Sequence, residues 1–231
     1  TGSEGLLGVI TEVTVKILKS PEVAKAALIG FSSIEDAGKC VTEIIAKGII
    51  PAGMEIMDKA LTKATNDFSK AGYPVDAEAM MIVELDGTDS EVSELIKRVE
   101  DIAKKNKCTS IKRSKSDEER LKFWTGRKAA FPACAELAPD YMCMDGSIPR
   151  GKLAEVLKEI QKLSVKYNLP VANAFHAGDG NLHPLIMFDA NDPEQLRRTE
   201  EFGAEILKYC VKVGGALTGE HGVGIEKREL M

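Results

Sequence analysis

The stretch "FHAGDGNLHP" (Phe175–Pro184) decides the fold of this 231-residue chain. It is flanked by "PVANAFH" and "LHPLIMFD", two short apolar runs of strand character. Between them, Gly-Asp-Gly-Asn is turn chemistry. Strands joined by so few residues form a hairpin, so part of the sheet must be antiparallel. Pairing Ala177 with Leu182 around a four-residue loop, Gly178–Asn181, sets His176 directly opposite His183 on one face. Directly opposed Cβ atoms lie about 4.5–5.5 Å apart. Two imidazoles at that spacing can share one metal ion.

Outward from the hairpin, strand and helix patterns alternate. "VITEVTVKIL" (Val9–Leu18) has period two and reads as a strand, as do "AALIGF", Ala52–Asp58, "AEAMMIVELDG", "TSIKRS" and "YMCMDGSIP". Helices are predicted from Ser33 to Gly48, over Lys59–Ser69, after a capping box at Thr88 and Glu91, and over Asp117–Leu137 with an interruption at Pro132. Two more cover Lys152–Tyr167 and a segment opened by Asp192-Pro193 that runs to about Val213. The pattern implies an α+β fold, a ferredoxin-like antiparallel or mixed sheet covered by helices.

Composition excludes several classes. With 31 basic and 36 acidic residues the net charge is −5, which argues against a nucleic-acid partner. Only Lys97–Lys128 runs the other way, with 12 Lys/Arg against 5 Asp/Glu. That is either a solvated helical face or a surface that draws in an anion. No apolar run reaches the roughly 18 residues of a transmembrane span. Five cysteines without C-x-x-C spacing read as reduced thiols of a cytosolic-type compartment.

All three histidines fall within 46 positions, each near glycines. The third lies in "GGALTGEHGVG", where five glycines imply a tight or closely approached backbone. His176, His183 and Glu220 make a two-nitrogen, one-carboxylate set of the kind that catalytic metal sites use, with positions left open for substrate. Their ligating atoms are expected within about 4–5 Å of one another. His221 is then a spare imidazole beside the ion, available as a general base. The bland alternative makes these histidines ordinary polar loop residues.

"HAGDGNLHP" and "GALTGEHGVGIEKREL" resemble the two signature stretches of the FAD-linked oxidase C-terminal domain family, which includes the FAD-linked subunit of glycolate oxidase and the D-lactate and D-2-hydroxyglutarate dehydrogenases. "WTGRKAAFPA" and "YMCMDGSIPRGKL" match less tightly. "TGSEGLLGVITEVTVKIL" is similar to the end of the preceding FAD-binding domain. The resemblance implies that residues 1–20 are a remnant of that domain's last strands and that 21–231 form the substrate and metal domain, truncated at both ends.

It also implies roles. His176, His183 and Glu220 match metal ligands for a divalent ion, Zn or Mn. His221 matches the base that takes the hydroxyl proton, and Arg127 the arginine that holds the substrate carboxylate. Asn181 lies near the flavin, and Gly2, Ser3 and Gly5 match a loop that contacts FAD. The implied reaction oxidises a small 2-hydroxy acid to a 2-oxo acid by hydride transfer to FAD. The implied setting is cytoplasmic, with partner oxidase subunits as the route to any peripheral membrane contact. Two other readings stay open on the residues alone: a His/His/Glu metal-dependent hydrolase, and a non-catalytic ferredoxin-like binding module.

Overall fold

The computed structural model describes residues 2–231. The elements run β1 (Val23–Phe31), α1 (Ile34–Ala46), β2 (Gly53–Asp58), α2 (Lys59–Ser69), β3 (Ala79–Gly87), α3 (Asp89–Lys105), β4 (Cys108–Arg113), α4 (Asp117–Lys128) and α5 (Ala130–Ala133). They continue with β5 (Asp140–Cys143), β6 (Gly146–Ser147), α6 (Leu153–Tyr167), β7 (Val171–His176), β8 (Asn181–Phe188) and α7 (Pro193–Lys212). All strands join one antiparallel sheet in the order β4-β1-β3-β2-β7-β8-β5, with β6 beside β8.

This sheet is two ferredoxin-like halves joined edge to edge. The first half has the order β4-β1-β3-β2, with α2 added between β2 and β3. The second is β5/β6, α6, β7, β8, α7, and its fourth strand shrinks to a single bridge, Ser147 to Ala216. The seam is the pairing of β2 with β7. Side-chain alternation sends Ile29, Ile56, Phe175 and Ile186 to one face, under α1, α3, α6 and α7. Leu28, Met57, Ala174 and Leu185 face the other side, where α2, α4 and α5 supply Leu61, Phe123 and Ala130. His176 and His183 share that second face.

The α+β, ferredoxin-like expectation holds, and so do most elements. Thr88 and Glu91 close a reciprocal capping box. Three local readings need correction. Val9–Leu18 forms no strand; Val9, Val13, Val15 and Ile17 are all exposed. Alternation alone does not make a strand, and no described strand offers this segment a ladder. The helix over Asp117–Leu137 breaks at Ala129 rather than at Pro132. A proline ring clashes with the carbonyl four residues earlier, here that of Lys128, so the break precedes the proline. "YMCMDGSIP" is two short strands, interrupted at Met144–Asp145.

The hairpin register also differs from expectation. His176 pairs with Asn181 and Ala174 with His183, around the loop Ala177–Gly180. Asp179 and Gly180 both donate to His176 O, and Gly180 closes the turn at φ +80°. A shift of two residues preserves the face, because side chains alternate with period two. The histidines therefore meet diagonally rather than squarely, with ring centroids 5.0 Å apart.

Candidate functional site

The site lies at the β7–β8 hairpin, on the second face of the sheet. β7 supplies His176, β8 supplies Asn181 and His183, and the irregular segment after α7 supplies Glu220 and His221. His183 Nε2 is 3.1 Å from Glu220 Oε1, and His176 Nε2 is 3.6 Å from the same oxygen. One ligating atom from each of the three side chains falls within 4.8 Å of the others, as the spacing argument requires. His221 stacks on His183 at a centroid distance of 5.2 Å, with its Nε2 3.9 Å from Glu220 Oε1.

The other ring nitrogen of each paired histidine is engaged behind the site. His176 Nδ1 meets Glu55 Oε1 at 2.7 Å. His183 Nδ1 faces Cys143 Sγ at 3.7 Å. These contacts engage Nδ1 of each ring and leave both Nε2 atoms on the Glu220 side, the nitrogens that would ligate a metal. The hydrogen bond to Glu55 raises the His176 pKa, and burial lowers that of His183. The donor set fits a divalent ion at His176, His183 and Glu220.

A second set, Asp145, His183 and His221, is as close in space. It fits a cation poorly. Asp145 already takes four donors from the Thr218–His221 segment and the ammonium of the buried Lys227. A metal there would displace that ammonium and face inward-pointing N–H dipoles.

Arg127 is buried, and it is not isolated. Its Nε and Nη2 lie 3.0 and 2.9 Å from Glu55 Oε2, so the same carboxylate links Arg127 to His176. The other cations of the basic segment behave as a solvated face: Lys105 pairs with Glu43, Lys112 with Glu119, Arg113 with Glu100 and Arg120 with Glu84. Asn181 is buried directly against Gly219, and its Oδ1 has no hydrogen-bond partner. A Cβ on Gly219 would stand 2.1 Å from that oxygen, so any side chain there would force Asn181 to move. The loop holding Gly2, Ser3 and Gly5 reaches the site through Glu4, whose carboxylate accepts from Val223 N and Gly224 N just beyond His221.

Four participants escaped the sequence reading: Glu55, Cys143, Asp145 and Lys227. Glu55 and Asp145 are single charges inside or beside apolar stretches, Cys143 reads as one more apolar residue, and Lys227 is hidden in the charged run Glu226–Glu229. A buried charge interrupting a strand pattern is the one signal that could have flagged Glu55 in "GMEIMD" and Asp145 in "YMCMDGS".

Among solved structures, alkyldihydroxyacetonephosphate synthase superposes with a TM-score of 0.65 at 17% identity, covering 94% of this chain and 44% of that one. P-cresol methylhydroxylase gives 0.63 at 17%, covering 85% and 45%. At these identities the likeness is one of fold. Sequence relatives are nearer. Glycolate oxidase subunit GlcD of Escherichia coli (strain K12) is 56% identical over 98% of this chain and 46% of its own length. GlcD of Bacillus subtilis (strain 168) is 36% identical over 96% and 47%, and the mitochondrial D-lactate dehydrogenase [cytochrome] of Arabidopsis thaliana 32% over 100% and 41%. The chain thus spans about half the length of the curated relatives it matches. Residues 20–231 match the family of FAD linked oxidases, C-terminal domain, and the chain belongs to that family.

Proposed function

We propose that this chain is the substrate- and metal-binding part of a flavin-dependent 2-hydroxy acid dehydrogenase of the glycolate or D-lactate type. It oxidises a small 2-hydroxy acid to the 2-oxo acid. The observation that carries the reading is the convergence of His176, His183 and Glu220 with His221 stacked beside them. In this reading residues 21–231 are the substrate domain and 1–20 the end of a preceding FAD-binding domain.

When bound, a divalent ion such as Zn or Mn supplies Lewis acidity at the hydroxyl and carboxylate of the acid, and FAD supplies the hydride acceptor. His176, His183 and Glu220 would hold the ion. His221 would take the hydroxyl proton on a ring nitrogen, at the open side of the site. Arg127 would receive the substrate carboxylate. Its Nε and Nη2 already lie on Glu55, which leaves Nη1 to meet the acid and fixes the plane of the guanidinium. Asn181 and the loop of Gly2, Ser3 and Gly5 would lie on the flavin side. Partner oxidase subunits would receive the electrons, in a cytoplasmic or membrane-peripheral assembly; no described helix is long and apolar enough to cross a membrane.

The test is a screen of 2-hydroxy acids on the full-length flavoprotein, read by dye reduction. Reduction by glycolate or D-lactate, lost on chelation and restored by metal, is expected. A flavin-free protein that hydrolyses esters or amides instead would replace this reading with the hydrolase one.

A further inference from the structure

The backbone between Gly219 and Gly224 belongs to no helix or strand, yet each of its six N–H groups donates to a side-chain oxygen. Asp145 accepts from Gly219, Glu220 and His221 at 3.0, 3.1 and 2.9 Å. Thr218 Oγ1 donates to Asp145 Oδ2 at 2.6 Å and accepts from Gly222 N at 2.9 Å. Glu4 accepts the last two. Successive N–H groups aimed at one point form an anion-binding concavity. Here the anion is internal: Asp145 is fully buried, and the buried Lys227 balances it, with Nζ 2.7 Å from Asp145 O and 3.3 Å from Oδ2.

We infer that Asp145 is a positioning residue: its carboxylate sets the backbone of Gly219–His221 and thereby aims Glu220 and His221 at the site. Adjacent residues of a regular strand point to opposite faces. Glu220 and His221 point to the same place because their two N–H groups turn together onto one carboxylate. The interruption between β5 and β6 exists at the residue that does this. Asparagine is a weaker acceptor here, because its amide nitrogen would face a donor and its side chain lacks the charge that Lys227 balances. The inference rests on the reading of Glu220 as a metal ligand.

A double-variant cycle on the full-length protein tests it, with metal stripped and Zn²⁺ titrated back. Glu220→Ala is expected to weaken Zn²⁺ binding; if it does not, the metal reading itself fails and the inference falls with it. Asp145→Asn is expected to weaken binding about 10–100-fold, the range for outer partners of metal ligands. The combined variant should lose no more than Glu220→Ala alone, because both act through one side chain. Fully additive losses would show that Asp145 serves the fold in general and would overturn the inference. Amide exchange gives a readout free of metal: Glu220 and His221 should exchange faster in Asp145→Asn while α3 keeps its protection. Should Asp145→Asn fail to fold, Thr218→Val carries the test. It removes one donor to Asp145 and the acceptor for Gly222, and unchanged Zn²⁺ affinity and exchange in that variant would refute the idea.

Discussion

The two halves of the sheet share a plan and spend their backbone differently. In the first half β1 pairs with β3 over nine unbroken positions, and β4 completes the set against β1 with one register shift at Gly30/Phe31. In the second half β5 and β6 are four and two residues long, split at Asp145, and the expected last strand is one bridge at Ala216. A ladder consumes N–H and C=O groups in pairs and alternates side chains between faces. Giving up the last ladder frees the N–H groups of Gly219–Gly224 and lets adjacent residues face one way. The regular half is scaffold except at the seam, where it lends Glu55 and Arg127, and the candidate metal and base residues gather in the irregular half.

The sharpest test of that division lies within the irregular half. His183→Ala in the full-length protein should lose both metal and turnover. His221→Ala should keep most of the metal while turnover falls by about 10²–10⁴, the usual cost of removing a general base. Metal content by elemental analysis, set beside steady-state rates, separates the two. If His221→Ala strips the metal as completely as His183→Ala, then His221 is a ligand and the assigned roles are wrong.

The seam between the halves should respond next. Glu55 on β2 serves His176 on β7 and Arg127 on α4 at once. Glu55→Gln leaves a buried guanidinium without its counter-charge, and breaking such a pair from one side costs about 3–5 kcal/mol. Chemical denaturation should show a loss of that order, together with weakened metal binding through His176. A variant with ordinary stability and only the metal defect would show that the Arg127–Glu55 pair is not a structural tie.

How much of this was legible follows from how far each signal reaches along the chain. The hairpin at Phe175–Pro184 is local, so turn residues and strand patterns reveal it, and the histidine face survives even a two-residue error in register. Thr88 and Glu91 are three apart and were readable for the same reason. Glu55 and His176 are 121 residues apart, and Asp145 and His221 are 76 apart. Pattern reading carries no information about which distant strands pair, so these partners were invisible. Val9–Leu18 shows the converse: local alternation was correct as a pattern, but a strand is completed only by a neighbour.

A pH dependence should sharpen the view of the seam. Asp58 ends β2 and reaches across to Asn173 on β7, accepting from its Nδ2 at 2.8 Å and from Leu61 N at 3.0 Å. Full burial pushes its carboxyl up to about 6 from an ordinary value of 3.8, despite those hydrogen bonds. The folded chain therefore holds a proton that the unfolded chain has released between those two pH values. This contribution to stability is complete below pH 3.8, is lost as pH rises through about 6, and is flat above. The two-unit gap corresponds to about 3 kcal/mol. The Asp58→Asn variant should lack this slope, so the difference in stability between wild type and variant should change by that amount across the window. Asn173 Oδ1, which has no partner, can turn to accept from the new amide. Parallel stability curves for the two proteins between pH 4 and pH 7 would show that Asp58 does not titrate in this window.

The smallest expected effect belongs to the regular half, where a change should stay local. Thr88 caps α3: its Oγ1 accepts from Glu91 N at 3.4 Å, and Glu91 Oε2 accepts from Thr88 N at 3.1 Å. α3 lies on the face opposite the histidines, packed through Val92, Ile96, Val99 and Ile102. Thr88→Ala removes one acceptor for an orphan helix N–H, which costs about 1 kcal/mol. Thermal unfolding should show a slightly lower midpoint, while Zn²⁺ affinity and turnover stay at wild-type values. The contrast with Thr218→Val isolates the point. Both substitutions delete one threonine hydroxyl that organises backbone N–H groups, Thr88 at a helix start and Thr218 in the segment after α7. If Thr88→Ala disturbed metal binding as much as Thr218→Val, the two halves would be coupled through the sheet as a whole. The division into scaffold and site would then fail.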